Sequence, residues 1–186
     1  DERRSVLEEA TRAVPGVAAA RSVKDEPVTV WISKNLFIKS KAGHALESTD
    51  LTVKTGDAVW QSFEVRSVDE IFVLDDSGRA FSVRVSDVPS GRGDGVPLTS
   101  LIELKQGVKI AHLISGSPQA KYLFSNSQGV GFISKLENLS SRQKAGKAFQ
   151  VLPEGAQMLA PIEVPTQGAF AYFGTSEGRL LFFKSS

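Results

Sequence analysis

The stretch IFVLDDSGRAFSVRV, residues 71–85, decides the fold. An apolar run, Ile71 to Leu74, meets the polar cluster Asp75-Asp76-Ser77-Gly78, and a second run rich in Phe and Val follows. β-branched and aromatic runs on both sides of a short polar turn that closes on glycine specify a β-hairpin. The adjacent carboxylates Asp75 and Asp76 belong to that turn. At a strand end successive side chains point apart, so they are no acid–base pair.

The layout recurs outward in both directions. The related stretches are VTVWISKNLFIKS (28–40), YLFSNSQGVGFISKL (122–136) and AYFGTSEGRLLFFKS (171–185). The turn glycines Gly78, Gly129 and Gly178 are 51 and 49 residues apart. In the first unit Asn35 takes the glycine's place, 43 residues before Gly78. Asn is the natural substitute because it tolerates a left-handed backbone. After each of the first three hairpins come a Gly-rich basic loop, a strand and a further turn glycine: Gly56, Gly107 and Gly155. A module of roughly 50 residues and four short strands is the signature of propeller blades. The expectation is an all-β, propeller-like domain of about three and a half to four such blades. The fourth unit stops after its hairpin at Ser186, so the chain is either truncated there or borrows a strand to close.

Residues 1–26 differ. Val6, Leu7, Ala10 and Val14 fall at helical spacing before Pro15-Gly16. This predicts a short helix and linker, or a frayed end. The expected division is therefore 1–26 as linker or helix and 27–186 as the β domain.

Composition narrows the function. The chain has 186 residues, a net charge of +1, 41% hydrophobic and 23% charged residues, which is ordinary for a globular protein. No apolar run approaches the ~20 residues of a membrane span, and DERRSVLEEA lacks a signal-peptide layout. The absence of cysteine excludes disulfides, thiolate metal sites and a cysteine nucleophile, and fits a reducing cytoplasm. His44 and His112 are 68 positions apart and form no metal-ligand set. Gly91, Gly93 and Gly95 lie between Pro89 and Pro97, which deny them the helix a phosphate loop needs. No catalytic constellation and no metal site is expected.

The charge is sorted. Lys34, Lys39 and Lys41 occupy residues 33–44 with no acid. Arg79, Arg84 and Arg92 occupy 78–93 against Asp87 alone, and Lys135, Arg142, Lys144 and Lys147 occupy 135–147 against Glu137 alone. Ten basic residues against two acidic ones give a local excess of eight, always in the same part of the repeat. On a disc these stretches would recur around the rim and match a bent phosphate backbone. The candidate DNA-binding residues are Lys34, Lys39, Lys41, His44, Arg84, Arg92, Lys135, Arg142, Lys144 and Lys147, with Asn35, Gly78, Gly129 and Gly178 as structural turn residues. Arg79 and Arg179 follow turn glycines and are expected to hold carboxylates of neighbouring blades. Trp31 and Trp60 are expected in the core.

The stretches 71–107 and KAGKAFQVLPEG (144–155) resemble the C-terminal domain of the A subunit of bacterial type IIA topoisomerases, and the opening DERRS looks like the end of the breakage-reunion region. The gyrase heptapeptide Q-R-R-G-G-K-G is absent. The first-unit loop reads Lys39-Ser40-Lys41-Ala42-Gly43-His44, and the nearest echo is Arg142 to Lys147 in the third unit. With EPVTV (26–30) and KSKAGHAL (39–46), the chain is more similar to topoisomerase IV A subunits than to gyrase. This resemblance implies a β-pinwheel, a propeller-like disc whose blades exchange strands. It implies a non-catalytic domain that binds and bends duplex DNA without sequence preference, and tunes ATP-dependent decatenation and supercoil relaxation. The nucleophilic tyrosine would lie in the preceding domain; Tyr122 and Tyr172 sit in apolar strands. No cofactor is implied here, with ATP and Mg held on other domains of the parent enzyme. Implied partners are double-stranded DNA, the rest of the A subunit, the ATPase-bearing B subunit in a heterotetramer, and a bacterial condensin. The implied location is cytoplasmic and chromosome-associated, with peripheral association at the inner membrane. The alternatives are a gyrase A DNA-wrapping domain and a protein-interaction propeller without DNA binding.

Overall fold

The computed structural model describes residues 23–165 in full, and the backbone of strands Phe170–Gly174 and Leu180–Lys184. The expected N-terminal helix, Gly178 and Arg179 lie outside the described residues.

Three units form sheets. The first holds β1 (Pro27–Ser33), β2 (Phe37–Ala42) and β3 (Val59–Arg66). The second holds β4 (Glu70–Asp75) and β5 (Arg79–Arg84), then β6 (Val96–Pro97) and β7 (Ile110–Ser115). The third holds β8 (Lys121–Ser125), β9 (Gly131–Lys135), β10 (Lys147–Ala148) and β11 (Ile162–Glu163). The last hairpin is β12 (Phe170–Gly174) with β13 (Leu180–Lys184).

Each hairpin is antiparallel, and its return strand (β3, β7 or β11) pairs with the hairpin's own first strand. The two-residue strands do something different. β6, from the second unit, pairs with β2 of the first, and β10, from the third, pairs with β5 of the second. The sheet orders are β3-β1-β2-β6, β10-β5-β4-β7 and β11-β8-β9. This exchange makes the domain an all-β pinwheel.

The first unit departs from the expected four-strand layout. Residues 43–57 contain no strand and fold back onto their own sheet. Gly43 N–H donates to Pro27 O, Thr29 Oγ1 donates to Gly43 O, and Trp31 Nε1 donates to Thr52 O at 2.9 Å.

The three fully described hairpins share one turn mechanism. A side-chain oxygen at the last residue of the first strand, or just after it, accepts the N–H four residues on: Ser33 from Phe37, Asp75 from Arg79 and Asn126 from Val130. Three residues after that oxygen comes a left-handed residue: Leu36 (φ 62°), Gly78 (φ 90°) and Gly129 (φ 79°). Asn35 therefore does not take the glycine's place. Its N–H instead binds Asp57 Oδ1. Leu36 accepts a strain of about 1–2 kcal/mol because its side chain packs against the core.

The core explains why β4 carries four apolar residues in a row. Along β4, Ile71 and Val73 face one way and join Val30, Ile32 and Ile38 of the first sheet. Phe72 and Leu74 face the other way and join Phe124, Leu136 and Leu139 of the third unit. Strand alternation thus supplies two buried faces, and the second sheet is wedged between its neighbours. The same geometry orients the edges. β3 and β7 meet where Gln61 Nε2 donates to Leu113 O, and β7 reaches the third unit where His112 Nε2 contacts Met158 O. That edge is the inner one. β6 and β10 lie at the opposite, outer edge of their sheets.

Candidate nucleic-acid interface

Two loops carry the exchanged strands outward: PSGRGDG (89–95) over the first sheet and SSRQKAG (140–146) over the second. Each ends on a left-handed glycine, Gly95 (φ 82°) and Gly146 (φ 61°), 51 residues apart. A Cβ on Gly95 would stand 2.4 Å from Ile38 O, and one on Gly146 2.4 Å from Ala80 O, so only glycine admits so close a crossing. A serine of the outer hairpin strand binds each loop. Ser40 N–H and Oγ donate to Pro89 O, and Ser82 Oγ donates to Ser141 O at 2.7 Å while accepting the Ser141 N–H.

The loops wall two clefts at the outer edge. The first is lined by Trp31, Lys39, Lys41, Asp50, Arg92 and Asp94. The second includes Glu70, Arg84, Asp87, Arg142, Gln143 and Lys144. Each has three basic residues against two acidic ones, a net of one positive charge.

Individual candidates divide sharply. The side chains of Arg84, Arg92 and Arg142 are exposed and make no hydrogen bond or ion pair among the described residues. Lys144 is exposed and gives one bond, to Ser100 O at 3.2 Å. These four are available to a phosphate. Lys39 is not: only 7% exposed, its ammonium donates to Thr52 Oγ1 and Gly93 O and lies 5.8 Å from the Trp31 ring centroid. Lys41 is bound to Asp50 at 2.6 Å, and this bond holds the Asp50 carboxyl below its ordinary range. Lys135 is shared between Gln119 Oε1 and Glu137. Lys147 is half-buried and donates to Ser140 O at 2.8 Å. His44 is exposed, with Nε2 2.7 Å from Val65 O. Lys34 sits at the β1–β2 turn and lines neither cleft. The local excess of eight is therefore largely spent inside the fold.

Other expectations change too. Among the described residues the Arg79 side chain holds no neighbouring carboxylate. Its guanidinium donates to Ala145 O through Nε and Nη2 and to Gly146 O through Nη2. Trp31 is buried, as expected of core, but Trp60 is 39% exposed. Tyr122 is half-buried; burial first, then Glu163, pushes its phenol pKa up, away from nucleophilic use. The side chain of Tyr172 lies outside the described residues. Sequence reasoning passed over Lys54, Lys105 and Lys109, exposed on the turns before β3 and β7. It also missed the loop-binding serines. The spacing of Gly95 and Gly146 was the available signal for them. No cluster of three or more His, Asp or Glu able to hold a metal occurs among the described residues. No helix among them is long and apolar enough to cross a membrane.

Curated proteins that match this chain along most of its length include two A subunits of DNA topoisomerase 4. That of Neisseria gonorrhoeae is 40% identical over 168 residues, 88% of this chain and 21% of that protein. That of Escherichia coli K12 is 31% identical over 186 residues, 100% of this chain and 25% of that protein. In three dimensions the E. coli ParC C-terminal domain superposes with a TM-score of 0.79 at 31% identity, over 85% of this chain and 64% of that one. The chain is homologous to the A subunit of DNA topoisomerase 4. It spans about a quarter of the length of those curated relatives. The C-terminal domain of DNA gyrase A shares the fold more distantly, with a TM-score of 0.51 at 16% identity, over 75% of this chain and 48% of that one. No family model matches the chain.

Proposed function

We propose that this chain is a non-catalytic domain that holds duplex DNA along the outer edge of the pinwheel, without reading its sequence. One observation carries the reading: two crossing loops, built alike and stacked on successive sheets, present Arg92 and Arg142, unpaired among the described residues, with Lys144 also on the second loop and Arg84 beside it. Guanidinium groups suit phosphate oxygens because their donors form a rigid fork. Contacts to phosphate fix position and carry no sequence information. Cations repeated on successive blades favour a duplex that curves with the edge. In the parent protein this domain would bias which DNA segments reach the cleavage centre, in an ATP-dependent type II topoisomerase working with its ATPase partner in decatenation and relaxation. ATP and Mg would act on other domains. Association with the chromosome, and contact with a condensin, are expected of the parent protein on the same grounds.

The test compares two neutralised variants of equal charge. Changing Arg84, Arg92, Arg142 and Lys144 to Gln should abolish binding to a linear duplex of random sequence. Changing Lys34, Lys54, Lys105 and Lys109 to Gln, away from the clefts, should leave most of it. Equal losses would show that only net charge matters and would overturn the edge assignment. Full binding by the first variant would leave a protein-docking propeller as the better reading.

A further inference from the structure

Besides the equivalent serines, a cation of the hairpin strand holds each crossing loop, and its position differs systematically between the two. On β2 and β5 the equivalent positions are Phe37 with Arg79, and Lys39 with Phe81, as the strand registers show: Ile38 pairs with Val96 at the head of β6, and Ala80 pairs with Lys147 at the head of β10. Each strand thus carries one aromatic and one cation two residues apart, on one face, in opposite order. In the first sheet the cation is Lys39. It reaches Gly93 O, beside Arg92, and Thr52 Oγ1 in the folded-back segment 43–57. In the second sheet the cation is Arg79. It grips Ala145 O and Gly146 O, a few residues after Arg142, while Phe81 lies against Gly146. Both cations are committed to the loops: Lys39 is buried, and Arg79 is half-buried with its Nε and Nη2 donors on carbonyls. A buried ammonium persists only when its donors are satisfied.

We propose that Lys39 and Arg79 are positioning residues, each pinning one crossing loop so that its exposed arginine meets DNA: Lys39 for Arg92, Arg79 for Arg142. This rests on the edge-binding reading above. The two hold each loop from within the sheet, and the arginine contacts made outside depend on them.

The experiment is a pair of double-mutant cycles on this chain, read as affinity for a linear duplex. K39M and R79M keep a long apolar stem and remove the donors; R92Q and R142Q remove the phosphate contacts. The expected result is specific non-additivity. K39M weakens binding, yet K39M/R92Q binds no more weakly than R92Q; the same holds for R79M with R142Q. The crossed pairs, K39M/R142Q and R79M/R92Q, multiply their losses. Additive losses in the matched pairs would mean that Lys39 and Arg79 touch phosphate themselves, and would overturn the proposal. Equal non-additivity in matched and crossed pairs would mean general destabilisation and would overturn it as well. Should K39M fail to fold, T52V removes one Lys39 partner and keeps the lysine, and should show the same matched dependence on Arg92 in weaker form. Amide exchange of residues 89–95 without DNA separates the two readings. Faster exchange in K39M, with R92Q binding DNA normally, would sustain the pin and reject edge binding. Unchanged exchange would reject the pin.

Discussion

Gly146 offers the sharpest test of the strand exchange. At φ 61°, a Cβ there would lie 2.4 Å from Ala80 O and 2.7 Å from Phe81 Cδ1. The first contact is with backbone near the start of β5, fixed by its strand pairing, which cannot rotate away. Gly91 is the internal control, with φ 96° and nothing within 4 Å of an added Cβ. Gly91→Ala should cost about 1–2 kcal/mol for the left-handed backbone alone. Gly146→Ala carries that cost plus an overpacking penalty of roughly 1–3 kcal/mol. In a domain of this size each kcal/mol moves the midpoint by about 2–4 °C. G146A should therefore melt about 2–12 °C below G91A by circular dichroism. It should also detach β10 from β5 and weaken DNA binding, because the Arg142 loop leaves its sheet. Equal midpoints for the two variants would refute the close crossing.

Three further outcomes follow from the same geometry. Asp50→Asn should free Lys41 from its ion pair and tighten DNA binding, with the salt slope steeper by up to about 0.9; an unchanged slope would show that Lys41 points away from the duplex. Asp75→Asn should be nearly neutral, since Asn126 performs the same turn-capping in the third unit, whereas Asp75→Ala should cost roughly 1–3 kcal/mol for the donors left unpaired; equal midpoints for D75N and D75A would refute the capping role. Asp57 is held below its ordinary pKa, chiefly by the Ser33 hydroxyl and then by the Ala58 and Asn35 N–H groups. Its folded pKa is the lower one, so its contribution is full above the ordinary carboxylate value and fades as pH falls through the depressed one. D57N should melt with less dependence on pH below about 4 than the parent.

The hairpins were legible because their signals are local. A polar turn closing on Gly78 or Gly129 between β-branched runs needs no tertiary information. The strand exchange was not, because β6 and β10 are two residues long, and Val96-Pro97 or Lys147-Ala148 carries no periodicity. Leu36 misled the turn reading for a related reason: a leucine enters left-handed space only when core packing offsets the strain, and packing is invisible in the local sequence. Charge alone does not separate a free cation from a bound one. Lys39 looks like any loop-flanking lysine until its partner Gly93, 54 residues away, folds over it. Arg92 and Arg142 were identifiable from the basic, glycine-rich register. What distinguishes them from Lys39, Lys41, Lys135 and Lys147 is the absence of a partner among the described residues, which is a property of the fold.

In the proposed interface four cations, Arg84, Arg92, Arg142 and Lys144, engage the phosphates. The affinity of this chain for a linear duplex, followed across a salt series, counts those contacts. Four neutralised phosphates predict a slope of log K against log salt near about −3.6, at about −0.9 for each. Successive changes of the four residues to Gln should flatten it stepwise toward zero. A slope that survives all four substitutions would place the DNA on another surface.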